Sequence, residues 1–359
     1  MVDQITKLVA TIAVGMACGL LFKKIHVPAG YMIGAFVGVA ALGIVASAVY
    51  LPDGTSVAIQ VIAGGFVGCS MERSDVKRLG RIGRPVALML FSFLVLNFGL
   101  GLLVWAISPL DLTTSLMSCV PGGINDTPVV AADMGADAPV VAVMQLLRQV
   151  LGVAVIPSAI FAYDRFQIGR GNPGKRDAAA VASTDGRKKS SQKSWQATLA
   201  TIAVAAAAGA IGKATGIPGM TFACSIVAVL VLKLAFDFAY IPRWMKHGCQ
   251  ILAGCYLGSL LSWDGLTRMG GLAIPMFVVV LGYMVNCLAV GKLESRLFGY
   301  GRKEGMLIAS PAGAADMALI IEDLDVRNQD VVVMQVVRAV VVMALFPQLI
   351  NIVRVAVGG

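Results

Sequence analysis

A carboxylate, a glycine-rich turn and a mid-helix arginine are the groups of this chain best placed to do chemistry, and they occur in a fixed order. Pro121-Gly122-Gly123-Ile124-Asn125-Asp126 is followed by an apolar stretch carrying Gln145 and Arg148. Adding 190 to each number finds the arrangement again: Pro311-Ala312-Gly313-Ala314-Ala315-Asp316, then Gln335 and Arg338. Glycine and proline interrupt a helix and leave main-chain N–H and C=O groups free for a solute or an ion. A helix starting near Asp126 or Asp316 would favour an anion at its N-terminus. Either carboxylate could carry a proton or, when ionised, bind a cation. The planar fork of arginine matches a carboxylate, so Arg148 and Arg338 could hold an anionic solute. A plainer reading stands beside each of these. The turn could be no more than a tight buried loop, and each guanidinium could pair with the acid simply to pin hairpin to helix.

Other polar residues inside apolar runs extend the set. Asp133 and Asp323 lie seven positions beyond Asp126 and Asp316, roughly on one helical face, with Glu322 beside the second. They fit either the site or the wet end of the turn. Gln60 and Gln250 are further candidates for binding. Enzyme classes find little support. His26 and His247 are the two histidines, both next to basic loops, so a His-rich copper or di-iron site cannot be built. No P-loop and no GxSxG elbow is present. We therefore expect no enzymatic activity, no metal and no cofactor, with H⁺ or Na⁺ as the coupling ion. The seven cysteines (18, 69, 119, 224, 249, 255 and 287) form no CxxC pair and read as buried free thiols.

The elements that must position these residues are membrane helices. Of 359 residues, 58% are hydrophobic and 14% charged, with a mean hydropathy of +0.82. Soluble domains average about 25% charged residues, so this is the composition of an integral membrane protein. The net charge of +9 sits in a few loops and implies no nucleic acid. Thr11-Ile12-Ala13-Val14 returns as Thr201-Ile202-Ala203-Val204, Gln60 as Gln250, and Gly64xxxGly68 as Gly254xxxGly258, all without a gap. The first apolar segment, Ile5 to Leu21, has a mid-chain counterpart and so reads as a structural helix, not a signal peptide.

Each copy predicts helices over 5–22, 28–50, 56–71 and 84–107, a broken element over 112–135 and a last helix over 138–160. The domains are 1–160, a basic linker 161–196 and 197–359. Trp105, Trp195, Trp244 and Trp263 fall near helix ends, as interfacial anchors do. Loop charge alternates between copies. Arg73, Lys77, Arg78, Arg81 and Arg84 follow the third helix of the first copy, whereas Lys292, Arg296, Arg302 and Lys303 follow the fourth helix of the second. Matching loops then face opposite sides, and each copy must cross an odd number of times. The expected fold is all-α, two inverted-topology repeats, with about ten transmembrane helices plus two broken or re-entrant hairpins. A broken helix that crosses at 112–135 and 302–325 is the alternative. The linker would be cytosolic and both termini periplasmic.

At the doubled PGG turn and the Gln-x-x-Arg pattern, the chain resembles the AbrB-duplication family of bacterial inner-membrane proteins, along essentially its whole length. Members carry labels as different as ammonia monooxygenase and AbrB regulator of gene expression. They look like distant relatives of cation/proton antiporters and bile-acid-type symporters. The family has Glu after PGG-x-x where this chain has Asp126 and Asp316, and Ala312 replaces the second glycine. We expect a secondary transporter of a small anionic or carboxylate solute, coupled to H⁺ or Na⁺. The alternative is a membrane-embedded regulator acting on gene expression through a partner, without touching DNA. The lipid bilayer, the solute and a second copy in a homodimer are the expected partners.

Overall fold

The computed structural model describes residues 2–25, 29–46, 48–149, 195–263, 267, 270–310 and 328–357, and every element among them is helical. In the first half these are α1 (Val2–Lys24), α2 (Gly30–Ala46), α3 (Thr55–Gly68), α4 (Arg73–Ile107), α5 (Leu112–Ser118), α6 (Thr127–Asp133) and α7 (138–149). In the second they are α8 (Trp195–Ala214), α9 (Met220–Phe236), α10 (Arg243–Ser259), α11 (Ala273–Phe298), α12 (Arg302–Ile308) and α13 (Gln329–Val357), with a 3₁₀ turn at Gly270–Leu272. Most of the linker lies outside the described residues, and Trp195 and Gln196 already belong to α8.

Among the described residues, five helices are long and apolar enough to cross a membrane: α1, α4, α8, α11 and α13. Their outward faces are apolar. Phe91 is 63% exposed, Phe277 68% and Ile352 64%, an arrangement stable in hydrocarbon and unfavourable in water. The shorter apolar helices α2, α3 and α9 pack among them.

One boundary differs from the sequence expectation in a way that matters. The basic run Arg73–Arg84 is not a loop; it forms the first three turns of α4. Glu72 and Asp75 make a capping box that starts the helix early, and Pro85 is accommodated within it. At 35 residues α4 is about 52 Å long, well beyond a ~30 Å hydrocarbon core, so its basic start projects past the apolar region. The second helix ends at Ala46 instead of running to 50.

Glycines set the central contacts. A Cβ on Gly64 would lie 2.9 Å from Ser225 Cβ, and one on Gly68 2.7 Å from the Ile226 carbonyl. The same geometry recurs at Gly254 and Gly258, which meet Met32 and Phe36 at 2.2 and 2.7 Å. Thus α3 lies on α9 and α10 on α2, with each contact displaced by the offset that relates the sequences. Thr11 and Thr201 make matching bonds as well. Each donates one helical turn back, to Lys7 and Ala197, and accepts from Tyr50 N or Tyr240 N.

Contact order along the helices gives their directions. Gly64 meets Phe222 and Ser225 and Gly68 meets Ile226 and Val229, so α3 and α9 run parallel. Cys249 Sγ donates to Ile59 O while Lys246 sits over the Phe66 ring, so α10 opposes α3. At one end of the molecule Arg73 donates to Leu234 O and Ala235 O of α9, Arg78 pairs with Asp330, and Trp195 stacks on Trp244. At the other end Gly219 N donates to Asp133 and Arg354 to Met134 O.

Candidate functional site

The broken element is a hairpin. Asp111 caps α5, accepting from Thr114 N at 3.0 Å and from the Thr114 hydroxyl. Pro128 stands in the first turn of α6, where its missing N–H does no harm. Asp137 N, just beyond α6, donates to Thr114 Oγ1 at 2.9 Å, which brings the end of the element back to its beginning. Each seven-residue limb rises about 10 Å, which leaves the Pro121–Asp126 tip roughly halfway into a bilayer-sized layer. A crossing helix at 112–135 is thereby excluded. In the second half, α12 forms the corresponding first limb. Residues 311–327, with Pro311, Gly313, Asp316, Glu322 and Asp323, lie outside the described residues.

At the tip, a side chain on Gly122 would collide with Thr127 Oγ1 at 2.3 Å and Met343 Sδ at 2.6 Å. Thr127 belongs to the hairpin itself and presses hardest, while Met343 Sδ of α13 lies near the end of a flexible side chain that can give way. Pro121 is buried, and Gly122, Gly123, Asn125 and Asp126 are partly buried. Asn125 Oδ1 is enclosed with no hydrogen-bond partner among the described residues. Asp126 begins α6 but makes no capping bond, and it lies within Coulombic range of Lys246 and Cys249 on α10.

Gln145 and Arg148 secure the tip from α7. Gln145 Nε2 donates to Met117 O at 3.3 Å and Val120 O at 3.0 Å. Arg148 donates to Val120 O at 3.1 Å and Gly122 O at 2.6 Å, and forms no ion pair with Asp126. The sequence placed guanidinium and acid as possible partners. The structure gives the guanidinium instead to carbonyls of the turn just beyond the C-terminus of α5, a favourable place for a cation. The second half repeats the arrangement: Gln335 Nε2 donates to Leu307 O and Ile308 O at 2.6 and 3.1 Å, and Arg338 donates to Ser310 O.

Two aromatic residues that the sequence reading passed over join the halves. Phe93 of α4 and Tyr283 of α11 have ring centroids 6.4 Å apart. Arg148 lies 5.4 Å over Tyr283, and Arg338 lies 5.5 Å over Phe93, so each guanidinium reaches a ring of the opposite half. Tyr283 OH donates to Cys119 O at 2.6 Å, tying α11 to the first hairpin. Phe93 and Tyr283 are themselves related by the sequence offset, but as unlike residues they do not register in an identity comparison.

Around this centre several buried polar atoms have no hydrogen-bond partner among the described residues. They include both amide atoms of Asn97, Ser115 Oγ, Ser118 Oγ, Gln145 Oε1, Arg148 Nε and Asn286 Nδ2. Gln60, 1% exposed, donates to Ser56 Oγ at 3.1 Å and leaves Oε1 unpaired, while Gln250 is partly buried. Such groups are costly to bury dry, so a cluster of them marks a place for water or a polar solute. A cavity of about 410 Å³ lies elsewhere, between the Val49–Ser56 loop and Tyr256, Ser259 and Leu260 of α10. No group of three or more His, Cys, Asp or Glu side chains able to hold a metal occurs among the described residues.

Fold and site together define an all-helical protein of membrane type, with a buried polar centre held between a helical hairpin and helices long and apolar enough to cross a membrane. The family described as "Transition state regulatory protein AbrB" matches residues 1–164 and 45–354, and the chain belongs to that family. It is similar to the uncharacterized protein YhjN of Bacillus subtilis (strain 168), with 25% identity over 354 residues, covering 94% of this chain and 90% of that protein.

Proposed function

We propose that the protein is a secondary transporter built from two inverted repeats, carrying a small anionic solute through the polar centre between them. The observation that carries this reading is the position of Arg148. This guanidinium is 3% exposed, fixed to hairpin carbonyls and stacked on a ring of the opposite half, with its Nε still available. A cation so placed costs at least ~2.5 kcal/mol at membrane depth, a penalty an anionic solute would offset.

The opposed directions of α3 and α10 support inversion, as does the gathering of Arg73, Lys77, Arg78, Arg243, Arg296 and Arg302 towards one end. That end is the cytosolic one in this reading, with about ten crossings and both termini outside. Asp126 and Asp316 are the coupling carboxylates for H⁺ or Na⁺. Two halves packed by reciprocal helix contacts can rock about the fixed site, exposing it to either face in turn.

Flux into proteoliposomes, across panels of carboxylate and other anionic solutes, tests the reading. The intact protein should accumulate a solute when an ion gradient is imposed. Asp126→Asn should uncouple accumulation from the gradient, and Arg148→Lys should weaken uptake at least tenfold. Gradient-driven uptake untouched by Asp126→Asn removes the coupling role. The family's description favours a second reading, a membrane regulator acting through a partner. Expression changes on deletion, with no flux for any anion, would select it.

A further inference from the structure

Glu294, on α11, is 0% exposed, and neither carboxylate oxygen has a hydrogen-bond partner among the described residues. It shares the buried face of α11 with Tyr283, Asn286 and Val290, so one helix line runs from the arginine centre to this carboxyl. Asn286 Nδ2 on that line is also unpaired among the described residues. Immediately beside it, α11 and α12 meet backbone to backbone. A Cβ on Gly305 would lie 2.4 Å from the Gly291 carbonyl, which fixes this corner of the second half tightly.

Further acids gather near this corner, towards the basic end of the molecule. Tyr300, between α11 and α12, has its hydroxyl pKa pushed up to about 12, first by burial and then by Asp330, Glu294 and Glu304 acting together. Two of these acids are engaged. Glu304 accepts from Gly301 N at 2.8 Å, and Asp330 pairs with Arg78 at 3.5 Å. Glu294 alone of the three lacks a partner among the described residues. An ionised carboxylate removed from water without a donor costs several kcal/mol, so this group is stable when a cation sits against it. The described residues around it supply no second and third ligand of the kind a divalent metal requires. A monovalent cation is the better fit.

We propose that Glu294 is a binding site for a monovalent cation, H⁺ or Na⁺, entered from the end where Tyr300, Glu304 and Asp330 gather. The site is distinct from Asp126 and exists in one half only, because the position related to Glu294 in the first half is Val104. Binding there does not depend on transport, so the test reads stability rather than flux.

The purified full-length protein is melted in detergent across a pH series and, at fixed ionic strength, with NaCl replacing choline chloride. A ligand that binds the folded state raises the melting temperature. The wild type should gain a few degrees either on acidification or with Na⁺, and the arm that responds identifies the cation. Glu294→Gln should lose the greater part of that response, whereas Asp53→Asn, at an exposed acid of the opposite end, should keep it. A wild type indifferent to both arms, a Glu294→Gln variant that responds like wild type, or loss of the response in Asp53→Asn would each overturn the proposal. Should Glu294→Gln fail to give folded protein, Glu294→Asp must move the midpoint of the response, and an unmoved midpoint overturns it too.

Discussion

Arg148 is the residue on which the two halves most directly meet. Its fork spans Val120 and Gly122 of the hairpin while its face covers Tyr283 of the other half. Lysine offers charge without a planar fork and cannot satisfy both carbonyls in that geometry. Arg148→Ala should lower stability by about 2 kcal/mol, since it leaves the Gly122 carbonyl unpaired, a loss on the order of 1–3 kcal/mol, while Val120 O keeps its Gln145 donor. Arg148→Lys should lose less stability but most solute binding, and thermal melts with and without solute would separate the two. Equal stability of Arg148→Ala and wild type would show that water takes over both bonds. At this scale the sequence singled out the arginines and glutamines, because polar side chains within apolar runs stand out. It could not say that they cap a helix end, nor that Glu294 is buried, because a glutamate between Lys292 and Arg296 reads as a wet loop residue.

The elements hold the site through close helix approach. Gly64, Gly68, Gly254 and Gly258 let α3 and α10 press against the second helix of the opposite half. Gly254→Ala places a methyl 2.2 Å from the Met32 carbonyl, and a backbone atom cannot swing aside. We expect it to destabilise by about 1–3 kcal/mol, the usual range for overpacking. Gly80→Ala, in open space on the projecting start of α4, should be neutral or slightly stabilising through helix propensity. A denaturation series in detergent on both variants checks the contrast, and a Gly254→Ala as stable as Gly80→Ala would mean that α2 and α10 are less tightly packed than described. The small-xxx-small spacing was visible in sequence. Its partner helix was not, since nothing local says that α3 seeks α9 and not α2.

For the whole molecule, the expectation is sidedness. The starts of α4, α10 and α13 gather at one end, and Asp133, Gly219 and Arg354 at the other. Single cysteines at Asp53 and Arg243, exposed positions related by the sequence offset, should therefore react with a membrane-impermeant thiol reagent from opposite sides of sealed vesicles. The native cysteines are buried or partly buried and form a low background. Labelling of both positions from one side would remove inversion, and with it the rocking carrier.

The sequence by itself determined that this is a helical membrane protein, that it is a chain made twice over, and that each copy breaks at a Pro/Gly turn. Those properties follow from run length, residue type and self-similarity, all of which are written along the chain. The tertiary structure decided the rest: that the turn is a hairpin, that α10 runs against α3, that the arginines serve carbonyls and the rings of the other half, and that Glu294 is enclosed without a donor among the described residues. The reason is physical. Partners of a buried charge are chosen by the fold from residues far apart in sequence, and in a medium without water those partners settle what the charge can do.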